Sequence, residues 1–313
     1  MTKPPGVIAS FFRVHRCLGT GSYGEVYEAV DERTRARVAV KLEPADADFP
    51  QLVYEHRVLK ELGTSHGFPR VLWFESNNDF NVLVMQKLGP SVEDVRVRNG
   101  GTLPVDSVMN IGRQVLERLA CCHAKGLAYR DMKPQNVLYE HVHVESSSSS
   151  SSSSSLVPLV PPMSSSSSSS SSSSLLPSVF LIDFGLCKRV VDGRTGVHIP
   201  MRLDKKLAGT PRYASLNSHQ GVEQSRRDDI ESLMYMLVFL AKGSLPWQVG
   251  ASASASSSVS KLMRQILTVK TSTPVADLCD GLPEAVAATL LYARGLAFDA
   301  MPNYTLLNDM WRC

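Results

Sequence analysis

The sequence has no long hydrophobic run and no strong excess of charge. Its longest apolar stretch, residues 233–241, falls well short of the ~18 residues that a membrane-spanning helix needs. The N-terminal residues lack the apolar core of a secretory signal. The 33 basic and 30 acidic residues leave a net charge of only +3, which does not favour bulk nucleic-acid binding. We therefore expect neither a membrane nor a nucleic acid as a partner.

The cysteines are few and scattered along the chain. Their spacing fits neither paired metal ligands nor a dense disulfide framework. The positions are Cys17, Cys121, Cys122, Cys187, Cys279 and Cys313. Unpaired thiols are typical of reducing compartments, so the pattern predicts a cytoplasmic or nuclear protein. A monomer is the default expectation.

Strand patterns come first along the chain and helical patterns follow. The 313 residues, 43% of them hydrophobic, suffice for two lobes around a cleft. In chain order we predict strands at 18–30 and 38–42, a helix at 51–62 ending at Gly63, a strand at 81–85, and helices at 105–125 and 229–241. This order predicts an α+β protein with a small β-rich N-terminal lobe at 12–88 and a larger helical C-terminal lobe at 89–313.

Two pure serine tracts, at 146–155 and 164–174, interrupt the second lobe. Such a composition buries too little apolar surface to offset its ordering entropy, so we predict a disordered insertion at 145–178. It separates two short strand patterns, 137–139 and 179–182, which would otherwise pair as a hairpin. Residues 251–258, rich in serine and alanine, predict another loop.

The first glycine-rich segment contains Gly19, Gly21 and Gly24 with G-x-G-x-x-G spacing. Alone, this motif is weak, because a glycine-rich turn can match it. A dinucleotide site would be followed by a helix, whereas the pattern after Gly24 continues as a strand. A strand, a glycine turn and a second strand predict a flap whose backbone lies over the phosphates of ATP.

Lys41 and Glu55 form the second candidate feature. Period two in the strand places Lys41 on the face of Ala39, whose small side chain leaves room for a flat adenine. Glu55 lies three residues after Leu52 and four before Leu59, on the apolar side of its helix. An inward carboxylate is costly unless it is paired. We predict a Lys41–Glu55 ion pair that holds the lysine against the α- and β-phosphates.

Two further motifs supply the candidate catalytic and metal-binding groups. In the segment Y-R-D-M-K-P-Q-N, Asp131 would orient the substrate hydroxyl and accept its proton, and Lys133 would neutralise charge on the γ-phosphate. Asn136, five residues after Asp131, and Asp183 of the later D-F-G tripeptide would bind Mg²⁺. The four signals in this order predict phosphoryl transfer from ATP with Mg²⁺.

Several other segments resemble the casein kinase 1 family of serine/threonine protein kinases. They are L-G-P-S-V-E-D at 88–94, H-I-P at 198–200, G-T-P-R-Y-A-S-L-N at 209–217, G-V-E-Q-S-R-R-D-D-I-E-S-L at 221–233 and G-S-L-P-W-Q at 243–248. The resemblance runs from about residue 12 to 311, apart from the serine insertion. It implies the bilobal protein-kinase fold and transfer of the γ-phosphate to serine or threonine of acidic or already phosphorylated proteins.

The resemblance also implies roles for individual residues. Met85 would be the gatekeeper, residues 86–88 the hinge that binds adenine through its backbone, and Asp229 a cap for the catalytic loop. The ATP-binding residues would be Leu18, Gly19, Gly21, Ser22, Gly24, Val26, Ala39, Lys41, Met85, Gln86 and Leu88.

Two groups of basic residues correspond to anion-binding positions of that family. The segments at 198–200 and 209–217 look like the activation segment of that family. Arg212 and Lys261 would hold a phosphate of the substrate, and Arg130, Lys188 and Lys205 would form a second anion site beside the activation segment. A solvated basic rim is the plainer alternative. The chain departs from the family at Tyr129, where histidine is usual, and at 251–258, where lysines are usual.

Two other functions remain open at this stage. A pseudokinase would bind a partner without catalysis, but it needs a degraded site, and Lys41, Glu55, Asp131, Asn136 and Asp183 are all present. A kinase of small molecules would share the aspartates without the peptide-binding segments near 215–217 and 225–233. The sequence favours a protein kinase.

Overall fold

The computed structural model describes residues 6–21, 24–141, 177–248 and 259–312. Ser22 and Cys313, the serine tracts of the predicted insertion and the predicted loop at 251–258 lie outside the described residues. Disorder of the insertion therefore stays a prediction.

Six antiparallel strands form the N-terminal sheet. They are β1 (Val7–Ile8), β2 (Phe12–Gly21), β3 (Gly24–Asp31), β4 (Arg37–Pro44), β5 (Val71–Ser76) and β6 (Phe80–Gln86), in the spatial order β1-β2-β3-β4-β6-β5. The alternation predicted for β4 is present: Val38, Val40 and Leu42 are buried in a small hydrophobic core formed by residues of the N-terminal sheet. Ala39 lies on the opposite face and packs against the larger core.

One helix packs against this sheet, α1 (Leu52–Leu62). Its buried positions follow the predicted stripe, and the inward carboxylate of Glu55 is 1% exposed. The helix ends at Gly63, whose φ of 66° is easily reached by glycine and whose backbone N–H donates to Leu59 O. Helix α1 can therefore carry a charged side chain into the cleft without exposing its apolar face.

Helices dominate the rest of the described chain. They are α2 (Val92–Arg98), α3 (Val105–Ala124), α4 (Leu216–His219), α5 (Arg226–Lys242), α6 (Val259–Ser272), α7 (Val275–Cys279), α8 (Glu284–Gly295) and α9 (Tyr304–Met310). The second half of helix α5 is apolar on all sides and is enclosed by the protein: residues from Leu233 to Leu240 are each at most 2% exposed. It packs against α3 and α8.

Two short pairs of antiparallel strands fix the ends of the loops that carry the cleft residues. Strand β7 (Leu127–Ala128) pairs with β10 (Lys188–Arg189), and β8 (Val137–Tyr139) pairs with β9 (Val179–Leu181). The second pair confirms the predicted hairpin. A β-rich sheet followed by a helical region confirms the α+β fold class. Within the described residues, no helix combines the length and apolarity needed to cross a membrane.

Candidate active site

The cleft contains an ion triad of Lys41, Glu55 and Asp183. Lys41 Nζ lies 2.6 Å from Glu55 Oε2 and 2.9 Å from Asp183 Oδ1. The Lys41–Glu55 pair confirms the contact predicted from the inward carboxylate on α1. The contact with Asp183 joins strand β4 to the segment after β9. One lysine therefore fixes the positions of two carboxylates from distant parts of the chain.

Lys41 and Asp183 stabilise each other's charged form, whereas burial and the nearby Asp183 carboxylate raise the pKa of Glu55 despite Lys41. Burial alone would lower the pKa of Lys41, but the Glu55 and Asp183 carboxylates outweigh it and raise that pKa above its ordinary value. Burial would raise the pKa of Asp183, but Lys41 outweighs burial and lowers it. Glu55 also accepts a hydrogen bond from Phe184 N at 3.2 Å. The lysine is therefore a fixed cation and Asp183 is ionised at neutral pH.

Strands β2 and β3 form the glycine-rich flap. Gly21 pairs with Gly24, and no helix follows, as predicted. Gly24 has φ 140°, and a Cβ there would lie 2.2 Å from Leu42 O, so only glycine fits without displacing β4. A Cβ on Gly19 would meet nothing within 4 Å. The flap backbone can therefore face the cleft on one side and pack against β4 on the other.

The predicted adenine-binding residues lie on neighbouring strands. Ala39 on β4 pairs with Met85 on β6, and Lys41 pairs with Val26 on β3. At the hinge, Gln86 N donates to Arg70 O at 2.9 Å, so this N–H is committed to the protein. Leu88 is buried, whereas Leu18 is 43% exposed at the flap. The adenine-binding role of these residues stays a prediction.

Asp131 is surrounded by hydrogen-bond donors. Its Oδ2 accepts from Lys133 Nζ at 2.6 Å and from Asn136 Nδ2 at 3.1 Å. Its Oδ1 accepts from Thr210 Oγ1 at 3.0 Å. The carboxylate is 5% exposed, so it is held rigidly as an acceptor at the floor of the cleft. Thr210 was not among the predicted site residues, because its contact with Asp131 spans 79 positions in sequence.

The backbone before Asp131 is held by Asp229 of helix α5. Asp229 accepts hydrogen bonds from Tyr129 N and Arg130 N, both at 2.7 Å, which confirms the contact expected of a capping residue. Arg130 has φ 71° and Asp183 has φ 60°. Left-handed backbone at residues other than glycine costs free energy and persists where the surroundings enforce it.

Tyr129 also connects the two halves of the site. Its hydroxyl donates to Ile182 O at 2.6 Å, and its ring packs edge-on against Phe184, with ring centroids 5.3 Å apart. The residue before Arg130 therefore fixes the residues on both sides of Asp183. Tyr129 thus has a defined structural role.

Asn136 and Asp183 are brought together by the β8–β9 hairpin. Asn136 directly precedes β8 and accepts a hydrogen bond from Ile182 N at 3.0 Å. Carboxylate and amide oxygens are the hard ligands that Mg²⁺ prefers. The described residues contain no group of three or more His, Cys, Asp or Glu side chains arranged for a metal. A two-ligand site fits Mg²⁺, which keeps several waters and binds phosphate oxygens.

The predicted second anion site already contains a carboxylate. Glu223, 3% exposed, lies 2.8 Å from Lys188 Nζ and 3.5 Å from Lys205 Nζ. Arg130 Nε donates instead to Leu186 O at 2.7 Å. We call Arg130, Lys188, Lys205 and Glu223 the lysine cluster. Sequence reasoning missed Glu223, which lies in the quoted segment 221–233 but carries no spacing signal of its own.

Arg212 lines a cavity of about 440 Å³ beside the catalytic loop. Gln135 and Thr210 form part of the wall on the side of the catalytic loop, and Leu262 and Ile266 of α6 lie opposite. Lys261 lies on the same helix with an exposed side chain. A phosphate site shared by Arg212 and Lys261 stays a prediction.

The comparison with known families agrees with this geometry. The family model of the protein kinase domain matches residues 12–290. The chain therefore belongs to the protein kinase domain family. Enzymes of this family are phosphotransferases that use ATP with a divalent metal, usually Mg²⁺, and the domain implies protein substrates.

Proposed function

We propose that the protein is an ATP-dependent serine/threonine kinase of the casein kinase 1 type, with acidic or already phosphorylated proteins as substrates. The observation that carries the catalytic part is the ion triad. Lys41 contacts both Glu55 at 2.6 Å and Asp183 at 2.9 Å. Phosphoryl transfer asks a protein mainly for positioning and charge neutralisation, and this geometry sets both in advance. It argues against a pseudokinase.

Each polar residue of the cleft has a role in that reaction. When bound, Mg·ATP supplies the transferable phosphoryl group and neutralises its charge. Asp183 and Asn136 would hold the metal, and Lys41 would contact the phosphates. Asp131 would orient the substrate hydroxyl and accept its proton, and Lys133, 2.6 Å away, would face the phosphate being transferred.

The contact between Thr210 and Asp131 supports serine and threonine as acceptors. A short hydroxyl side chain from the protein itself reaches Asp131 Oδ1 at 3.0 Å. The hydroxyl of a substrate serine or threonine has the same reach, whereas the hydroxyl of tyrosine lies a full ring further from its backbone.

Charge supports the proposed substrate class. In the lysine cluster, Lys188 and Lys205 share the single carboxylate of Glu223, and Arg212 lines the cavity beside Asp131. An arginine guanidinium can bind phosphate through two parallel hydrogen bonds. We therefore propose that phosphate or carboxylate groups flanking the acceptor bind on this side of the cleft. A cytoplasmic or nuclear location and a monomeric state are also proposed.

The substrate class is tested with peptides that share one acceptor serine. One is preceded by phosphoserine, one by aspartate and one by alanine, and phosphoamino-acid analysis identifies the acceptor. We expect the order phosphoserine, aspartate, alanine in kcat/KM. Arg212→Ala should weaken the phosphorylated peptide more than the aspartate peptide.

The matched control is Arg264→Ala, because Arg264 is an exposed arginine on α6. It should leave the order and the rates unchanged. Phosphotyrosine as the product would contradict the serine/threonine assignment. Equal losses on both peptides with Arg212→Ala would contradict the phosphate site.

A further inference from the structure

Helix α6 carries a buried lysine that the reaction described above does not use. Lys270 is 0% exposed. It lies four residues after Ile266 and eight after Leu262, on the stripe that faces the protein. A buried ammonium needs strong partners, so its surroundings indicate what it does.

Two backbone carbonyls and two aromatic rings surround the ammonium. Lys270 Nζ lies 2.5 Å from Ala214 O and 3.1 Å from Pro211 O. The ring centroids of Tyr235 and Trp247 lie 4.7 and 4.9 Å away, within the range of cation–π attraction. The carbonyls belong to the activation segment, whereas the rings belong to α5 and to the loop after it.

We call residues 210–215 the substrate segment, because its first residue touches Asp131. Side chains from three separate parts of the chain donate hydrogen bonds to backbone carbonyls of this segment. Besides Lys270, Trp247 Nε1 donates to Arg212 O at 2.8 Å, and His219 Nε2 lies 3.0 Å from Pro211 O. The backbone conformation of the substrate segment is therefore fixed by these three side chains.

The substrate segment also forms a wall of the cavity beside the catalytic loop. Thr210, Pro211, Arg212 and Tyr213 all line that cavity. A peptide whose hydroxyl reaches Asp131 must pass along this wall. Displacing the segment would change peptide binding, while Lys41, Glu55 and Asp183 lie on other elements.

Charged groups around Lys270 set its protonation. Burial lowers the pKa of Lys270 to about 7; the Glu231 carboxylate opposes this, and the Arg294 guanidinium adds to it. Burial, and then Lys270, lower the pKa of His219 to about 4, so His219 is neutral near pH 7 and donates to Pro211 O. Both forms of Lys270 can donate to two carbonyls, because a neutral amine retains two N–H groups.

We propose that Lys270 is a positioning residue for peptide recognition: it holds the substrate segment in the conformation that receives the peptide beside Asp131. This proposal rests on the protein kinase activity proposed above. Without Lys270, the carbonyl of Ala214 would lose its partner in a buried place, and the segment would move to satisfy it.

The test compares Lys270→Met with the wild type on a peptide that has a single serine preceded by aspartates. Methionine keeps the length and burial but removes every N–H. We expect KM for the peptide to rise about tenfold and KM for ATP to stay within about threefold, because the ion triad does not touch Lys270. Because Thr210 of the substrate segment contacts Asp131, kcat should also fall, but by less than KM for the peptide rises.

Lys242→Met is the matched control, because Lys242 Nζ also lies near a backbone carbonyl, 3.3 Å from Asp277 O, but at an exposed position. It should change none of the constants. Lys270→Gln retains a neutral donor and should give an intermediate KM for the peptide; it also serves if the methionine variant does not fold.

An unchanged KM for the peptide in a folded variant would overturn the proposal. So would equal losses in KM for the peptide, KM for ATP and kcat, since these would indicate a general structural role. A wild type without activity on any peptide would instead contradict the proposed function itself.

Discussion

The cleft and the lysine cluster have opposite excesses of charge. The cleft sets the carboxylates of Glu55, Asp131 and Asp183 against two lysines. In the lysine cluster, two lysines, Lys188 and Lys205, face the single carboxylate of Glu223. An excess of carboxylate suits a metal ion, and an excess of lysine suits a phosphate or carboxylate. The comparison shows that the balance of positive and negative side chains, rather than the mere presence of charge, indicates the charge of the ligand that a site can bind.

The first test removes the cation of the ion triad, and a large effect is expected. Lys41→Met would leave Glu55 and Asp183 without their shared partner and remove a donor to the phosphates. We expect kcat/KM for ATP to fall about 10²–10³-fold, the size seen when one donor to a developing charge is lost.

Steady-state kinetics against ATP check this effect. Lys60→Met, an exposed lysine near the end of α1, is the control and should behave like the wild type. A loss of less than about fivefold with Lys41→Met would mean that the triad does not position the phosphates.

The second test removes the carboxylate of the lysine cluster. Because Glu223 already neutralises part of that charge, phosphatase treatment of the wild type should leave its activity intact. Glu223→Gln would leave Lys188 and Lys205 to repel each other beside β7 and the catalytic loop. We expect activity to fall about tenfold, a change of ~1.4 kcal/mol, and sulfate to restore part of it by binding between the lysines.

Radioactive phosphate transfer, measured with and without sulfate, checks this prediction. Glu32→Gln removes a part-exposed carboxylate from the pair with Arg13, far from the cluster in sequence, and should have no effect. Loss of wild-type activity after phosphatase treatment would contradict this prediction, because it would show that the enzyme needs a phosphorylated residue in addition to Glu223.

The third test concerns stability, and it uses the half-buried His219, which lies outside both regions. The pKa of His219 is lowered from 6.5 to about 4, chiefly by burial, so the unfolded chain binds the proton more readily between these values. The free energy of unfolding therefore falls as the pH drops from ~6.5 towards ~4. His219→Gln, which keeps a donor for Pro211 O, should remove about 2–3 kcal/mol of that fall.

Urea unfolding at pH 7 and at about pH 4.5 measures the difference between the two proteins. Asp228, whose pKa is raised to about 6 chiefly by burial, acts in the opposite direction but is present in both proteins. An equal fall in the free energy of unfolding for wild type and variant would contradict the claim that the lowered pKa of His219 contributes to acid sensitivity.

The smallest effect is expected from the serine insertion. Asn136 and Asp183 lie at one end of the β8–β9 hairpin, and the insertion begins beyond the other end, where Glu140 N donates to Ser178 O at 2.9 Å. Joining Val144 directly to Pro177 should leave kcat within about threefold, under ~1 kcal/mol of barrier change. A larger loss would show that the insertion contributes to the cleft.

Sequence reasoning worked where a local pattern by itself requires a partner of known charge. Glu55 on the apolar stripe of a helix required a cation, and Lys41 is that cation. The same reasoning could have found Lys270, which follows Ile266 by one helical turn. It could not identify Thr210 or Glu223, because their contacts with Asp131 and Lys188 depend on how distant segments pack.

The central claim is that Asp131 acts at the phosphate-transfer step. The most direct measurement is transfer of labelled γ-phosphate from Mg·ATP to casein by the wild type and by Asp131→Asn. We predict transfer by the wild type and a loss of about 10²–10⁴-fold in the variant, with little change in KM for ATP. Equal transfer by both proteins, or none by a folded wild type that binds ATP, would contradict it.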